Sequence, residues 1–213
     1  MKLKFSLLKP LAIAALLASA TASEAAITVV TSLAAFNAAT AAQATDTFAG
    51  FSIILPTPSP ITRTVGPYRY TASVATSFFG GGTNADPFFS TLQAEETVTF
   101  NAFSAGVRGI GGNFFASNIS GLFTPGSVTL TVTDGSGTVT QTVANATISS
   151  FIGFVSDGPM SQMTLAAVQP GSGFVWPSVD NLVLAAAVPE PGTYAMLLAG
   201  LGVVGLLARR RRS

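Results

Sequence analysis

The chain has 213 residues and a formal net charge of +1, with ten basic and nine acidic side chains, no Cys and no His. Seven of the ten basic residues sit at the two ends. Between Ile27 and Val188, Arg63, Arg69 and Arg108 stand against seven carboxylates, a net charge of −4. That balance excludes the basic footprint of a nucleic-acid binder. The lack of Cys and His removes disulfides, thiolate metal sites and the commonest general base, and the lack of Lys in the middle removes Ser-Lys and Schiff-base chemistry there.

The first segment, "MKLKFSLLKPLAIAALLASATASEAA", has the three parts of a secretory signal: Lys2, Lys4 and Lys9, then the apolar run Leu11 to Ala18, then small residues. Ala20-Thr21-Ala22 fits an A-x-A cleavage site, and Ser23-Glu24-Ala25 is a second option. Residues 1–25 are therefore expected to be a cleaved signal peptide, with the secretion translocon and signal peptidase as partners. The alternative is an uncleaved anchor helix, for which the apolar run is short against the ~20 residues of a span.

Residues 26–187 are expected to form one β domain. "SLAAFNAATAA" reads as its helix, capped by Ser32, with Leu33 and Phe36 on one face. The rest alternates apolar and polar residues between turn signals. The clearest case is "SVTLTVTDGSGTVTQTV": Val128, Leu130 and Val132 face one way and Thr129, Thr131 and Thr133 the other. Asp134 to Gly137 makes a hairpin loop, and Val139 to Val143 returns. Further strands are expected at 27–31, 47–55, 68–77, 96–101, 107–115, 150–155, 162–168 and 174–184. "LPTPSPIT" is a Pro-rich loop or edge segment. "FFGGGTNADPFF" is a mobile loop between aromatic strand ends. Many strands with short turns and almost no helix predict an all-β antiparallel sandwich, for which a jelly roll is a fitting arrangement.

No side-chain set in this domain amounts to a catalytic or metal site. "GVRGIGGNFF" lacks the G-K-[ST] of a phosphate loop and the spacing of a dinucleotide fingerprint, so its glycines mark a bulge or a tight strand crossing. Glu95 and Glu96 would point to opposite faces of a strand. Asp46, Asp86, Asp134, Asp157 and Asp180 could supply a carboxylate pair for glycoside hydrolysis, but nothing in the sequence brings two together. Asp180-Asn181, near the end of the last strand, could offer oxygens to Ca²⁺ with Asp134 and Asp157, or serve a turn. Asn118-Ile119-Ser120 and Asn145-Ala146-Thr147 match the N-glycosylation sequon, a match taken as incidental. Trp176 is the candidate ligand contact: with Tyr68, Tyr70, Phe88 and Phe89 it could stack on sugar rings, or simply pack in the core. No catalytic residue, metal or cofactor is expected.

The last segment is "VPEPGTYAMLLAGLGVVGLLARRRRS". No charge occurs between Glu190 and Arg209, and those 18 residues would span ~27 Å as a helix, close to a bilayer's hydrocarbon core. Its glycines suit a membrane helix but lack G-x-x-x-G spacing. Under the positive-inside rule Arg209, Arg210, Arg211 and Arg212 stay cytoplasmic. Val188, Pro189, Glu190 and Pro191, then Gly192-Thr193, the apolar helix and the terminal arginines, resemble the PEP-CTERM sorting signal over residues 188–213. The interior is also similar, more loosely, to exported proteins of this kind, in "SLAAFNAAT", "TDTFAGF", "FSAGVRGIGGNFF", "FIGFVSDGP" and "VDNLVLA".

The resemblance implies that an exosortase, a membrane protease of Gram-negative bacteria that make extracellular polysaccharide, cuts near the motif and removes the helix. Two prolines hold the segment extended and without backbone donors, which suits a protease groove. The expectation is an exported, non-enzymatic protein. It would be held in the inner membrane as a precursor, then placed at the cell surface or in the matrix, in association with extracellular polysaccharide. The alternatives are a secreted hydrolase using carboxylates and a permanently anchored structural protein.

Overall fold

The computed structural model describes residues 27–188 and 200–202, and the architecture below is that of residues 27–188. The chain alternates between two antiparallel sheets. Strand β1 (Thr28–Val30) leads into helix α1 (Leu33–Ala39) and β2 (Thr40–Asp46). Then come β3 (Thr57–Pro58), β4 (Ile61–Val65), β5 (Tyr68–Ser73), β6 (Ser77–Gly82), β7 (Pro87–Thr91) and β8 (Val98–Asn101). The second half carries β9 (Gly109–Ser117), β10 (Phe123–Thr124), β11 (Gly126–Asp134), β12 (Thr138–Ala146), β13 (Phe151–Val155), β14 (Met160–Val168) and β15 (Trp176–Ala187).

Eight of these strands set the topology. Taken in chain order, β7 pairs with β15, β8 with β14, β9 with β13 and β11 with β12. First pairs with last and inward to the middle, as in one long hairpin rolled into two sheets, which is the jelly-roll arrangement. The first sheet runs β1-β13-β9-β15-β7-β6-β3, with β2 beside β15 and β10 beside β9; the second runs β12-β11-β14-β8-β5-β4. Thr57–Pro58 lies at an edge of the first sheet, where proline costs no ladder bond.

Period-two alternation explains the core. Val128, Leu130 and Val132 of β11, Met163 and Leu165 of β14, and Val98 and Phe100 of β8 are buried and meet Phe78, Phe89, Ile110 and Phe114 from the first sheet and Phe48 from the turn after β2. Phe89 packs against Phe48, Phe51, Phe78 and Phe100, at ring-centroid separations of 4.6–6.0 Å. The opposite face of the second sheet is threonine. Thr140, Thr131, Thr164, Thr99 and Ser73 stand side by side across five strands. Hydroxyl pairs Thr129–Thr142, Thr131–Thr140 and Thr133–Thr138 are 2.9–3.0 Å apart.

A partly buried ion pair ties the sheets together. Arg63 of β4 donates two hydrogen bonds to the Asp46 carboxylate of β2, at 2.6 and 2.7 Å, and Tyr70 of β5 donates a third at 2.9 Å. The Phe48 N–H completes the set, and the Arg63 guanidinium lies 5.4 Å from the Phe48 ring centre. Every buried side-chain polar atom among the described residues has a partner.

Several sequence expectations are corrected. Residues 47–55 are not a strand: Asp46 caps the Phe48 N–H, and Phe48 and Gly50 take left-handed φ values of 53° and 77°, which turn the chain and bury Phe48 and Phe51. The helix stops at Ala39, where the Thr40 hydroxyl donates to the Phe36 carbonyl at 2.7 Å, and Thr40–Asp46 is strand because it pairs with β15. Ser32 caps the helix as expected, but only Phe36 is buried, with Leu33 47% exposed. The stretch 77–91 is a hairpin of β6 and β7 rather than a loop, and 74–76 interrupts the expected strand 68–77. Glu95 and Glu96 lie outside the strands, and Glu96 accepts from the backbone N–H groups of Thr76 and Gln93. Asp180-Asn181 is a bulge within β15, with Asn181 at φ 50°, since that strand continues to Ala187.

The segment expected to be a signal peptide (1–25) and most of the C-terminal segment, including Pro189, Glu190, Pro191 and Arg209 to Arg212, lie outside the described residues. Among the described residues no helix is long and apolar enough to cross a membrane.

Candidate functional site: a groove and the start of the tail

The outer face of the first sheet is divided in two. At one end helix α1 covers it. Phe36 packs against Val183 and Ala185, over Gly109 and Gly153. A Cβ at Gly109 would lie 3.0 Å from the Phe36 ring, and one at Gly153 would overlap it. Gly109 of "GVRGIGG" and Gly153 of β13 thus make room for the helix.

At the other end the same face carries a groove of about 330 Å³. Register places Trp176 opposite Ser117, Ser178 opposite both Phe115 and Ser90, and Phe79 opposite Ser90, so these side chains share one face. The floor of the groove is Ser90 of β7 and Ser117 of β9, both nearly fully buried. Ser178 bridges them, at 3.1 Å to Ser90 and 2.8 Å to Ser117, and Ser90 donates to the Pro177 carbonyl at 3.0 Å. One wall is Phe79 and Gly80 with the turn Asn118–Gly121; the other is Leu92, Gln93 and Trp176.

Both walls are fixed by hydrogen bonds. The Asn118 side-chain oxygen accepts from the N–H groups of Ser120 and Leu122, and the Gly82 N–H donates to the Gly121 carbonyl at 2.8 Å. Gly121 sits at φ 67°, and a Cβ there would come 3.0 Å from Gly81 Cα, so the turn lies directly on β6. Opposite, the Trp176 indole N–H donates to the Leu92 carbonyl at 3.2 Å. Gln169 bonds the carbonyls of Ala94 and Val175 and accepts from the Val175 N–H, fastening the segment before Trp176 to the 92–94 turn. Trp176 is half-buried on the wall, and Ile119 on the rim is 83% exposed.

Of the aromatics grouped with Trp176 in the sequence, Tyr68, Tyr70, Phe88 and Phe89 are buried and none lines the groove. Ser90 and Ser117 carry no sequence signal for a site, and the 118–121 turn carries only the sequon match Asn118-Ile119-Ser120. Ser90 is far in the chain from Ser117 and from Ser178, and only the pairing of β9, β15 and β7 collects them.

The carboxylates are placed elsewhere. Burial would push the Asp46 carboxyl up, but the hydrogen bonds and charge of Arg63 outweigh it and hold it below the ordinary range. The same contacts raise Arg63, and burial together with the Asp46 charge raises Tyr70. Asp134 caps its hairpin by accepting from the N–H and hydroxyl of Ser136, the Gly137 N–H and the hydroxyl of Ser156. Against the upward push of burial, these bonds lower it to about 2. Asp180 is raised by burial, partly opposed by the Asn181 N–H and reinforced by the charge of Asp86. Asp157 is exposed. Among the described residues no three of these side chains form a set that could hold a metal ion.

The tail begins where β15 ends. Val188, the first residue past the strand, is exposed. Residues 187–212 match the PEP-CTERM protein-sorting motif, so the chain carries that sorting motif at the end of its longest strand. No curated protein and no solved structure matches the chain.

Proposed function

We propose that this is an exported, non-enzymatic surface or extracellular-matrix protein, delivered as a membrane-held precursor and released from its tail by an exosortase. The observation that carries the reading is the match of residues 187–212 to the protein-sorting motif, directly after the last strand. The tail would hold the precursor through its apolar run and terminal arginines. Cutting near Pro189-Glu190-Pro191 would then free the β domain.

Association with extracellular polysaccharide is the role this reading gives to the freed domain. Two features support it. The outer face of the second sheet presents rows of threonine hydroxyls, a hydrated surface suited to a neutral matrix. Its low charge suits the same setting. The non-enzymatic reading is supported by where the carboxylates are used. Asp46 serves an inter-sheet ion pair, Asp134 caps a hairpin, and no carboxylate lines the groove among the described residues.

The experiment is localisation in the producing bacterium. Wild-type protein is expected in the cell-surface and medium fractions, and a Pro189→Ala, Glu190→Ala double variant in the membrane fraction. Identical distribution of the two proteins would contradict sorting through this motif.

A further inference from the structure

The register of the first sheet orients the molecule. Thr28 of β1 stands opposite Val155, Val155 opposite Gly109, and Gly109 opposite Ala185. The chain therefore enters the fold and leaves it at the same end of the sheet, a few strands apart. Trp176 and Ser117 face each other at the other end. The twelve residues of β15 separate the two, roughly 35 Å at ~3.3 Å per residue. A precursor held by its tail would present the groove at the end far from its tether, where large polymers have access.

We propose that this groove is a binding site for a neutral saccharide chain, with Trp176 as the apolar platform and the amide of Gln93 and the hydroxyl of Ser117 as its polar contacts. The proposal rests on the matrix-associated reading above and names the site and ligand class for it. Three observations select the ligand. First, none of the described residues lining the groove is ionisable, so nothing there would balance a phosphate, carboxylate or ammonium group. Second, apolar and polar groups alternate around it, Phe79, Leu92, Ile119 and Trp176 among Ser, Thr, Gln and Asn. A sugar ring has the same division, with C–H faces that stack on an aromatic and hydroxyl edges that hydrogen-bond. Third, the volume lies at the lower end of the ~300–1,000 Å³ of small-molecule sites, enough for short stretches of a chain that continues beyond both ends. The bonds from Trp176 to Leu92 and from Gln169 to Ala94 and Val175 hold the walls in place before any ligand arrives, which lowers the entropic cost of binding.

Trp176 is the chain's single tryptophan, so its emission reports on the groove alone. The full chain in detergent would be titrated with cellotetraose, maltotetraose, mannotetraose and neutral oligosaccharides from partial hydrolysis of the producing strain's own polysaccharide. Tetragalacturonate is the charged comparator. A saturable emission change with a neutral probe and none with tetragalacturonate is expected. Ile119→Asp, at a position too exposed to matter for folding, should weaken binding about tenfold or more, and Trp176→Ala, read by calorimetry, at least as much. No saturable response to any neutral probe overturns the proposal. So does an equal response to tetragalacturonate, or an emission change that follows protein concentration alone, which would make a second copy of the chain the occupant. Adsorption to the extracted polysaccharide separates the two readings. Equal adsorption of wild-type and Ile119→Asp protein removes the groove but leaves matrix association standing. Failure of the wild type to adsorb removes matrix association, and the groove proposal with it.

Discussion

Asp46 shows how a single residue can be placed for stability when its chemistry would also suit catalysis. Its carboxylate is buried, which costs several kcal/mol for an isolated ion, and the Arg63 fork, the Tyr70 hydroxyl and the Phe48 N–H offset that cost. Asp134 is handled in the same way by four donors, one of them Ser156 from the segment after β13 in the opposite sheet. Both carboxyls ionise more readily in the folded chain than at the ordinary value of 3.8. Their ionised forms therefore stabilise the fold above about pH 4, and that contribution is lost as the pH falls toward 2. Tyr70 acts at the other limit. Its pKa is held above the ordinary 10.0, so its contribution is complete below pH 10 and lost as the pH rises beyond that. Denaturant midpoints measured from pH 2 to 11 should give a plateau between about 4 and 10 with losses on both sides. Asp134→Asn should flatten the acid limb, and an acid limb unchanged by that substitution would contradict the role given to its bonds.

At the scale of elements, helix α1 depends on the glycines beneath it. Gly153→Ala puts a methyl group into the Phe36 ring on a strand flanked by two others, where backbone adjustment is restricted. The expected loss is about 1–3 kcal/mol in urea unfolding, whereas Gly137→Ala, with open space around it, should change stability far less. Equal effects would show that the helix yields freely. The same elements explain what the sequence disclosed. The hairpin 126–146 was legible because strict alternation, a D-G-S-G loop and flanking threonines all agree. "FAGFSIIL" misled because its apolar residues suit a strand, while the Asp46 cap and left-handed Phe48 and Gly50 turn the backbone. The helix expected over "SLAAFNAATAA" ran three residues too far, into β2, because alanines favour helix and only pairing with β15 makes Thr40 to Ala42 strand. The β6–β7 hairpin was hidden by its glycines, which stand where Phe88 and the 118–121 turn approach the backbone. Trp176 stood out in the sequence as a lone tryptophan. The serine floor beneath it could not, since Ser90 and Ser178 are 88 positions apart and meet only through strand pairing.

For the whole molecule, one strand connects the two features of interest. β15 begins at the groove with Trp176 and ends at the sorting motif with Ala187, and β1 enters beside that end. A domain tethered at one end and open at the other suits display, whether it stays at the membrane or leaves it. The motif itself was legible in sequence because its parts are local and in order: Pro-Glu-Pro, apolar run, terminal arginines. The distinction between a permanent and a temporary tether rests on whether that tail is removed. The direct measurement is the intact mass, with C-terminal peptide mapping, of the protein recovered from wild-type cells and from cells lacking exosortase. The account predicts a wild-type product that ends near Pro189–Pro191 and lacks Arg209 to Ser213, and an uncut tail in the deletion strain. A wild-type product that still carries Arg209, Arg210, Arg211, Arg212 and Ser213 would contradict it.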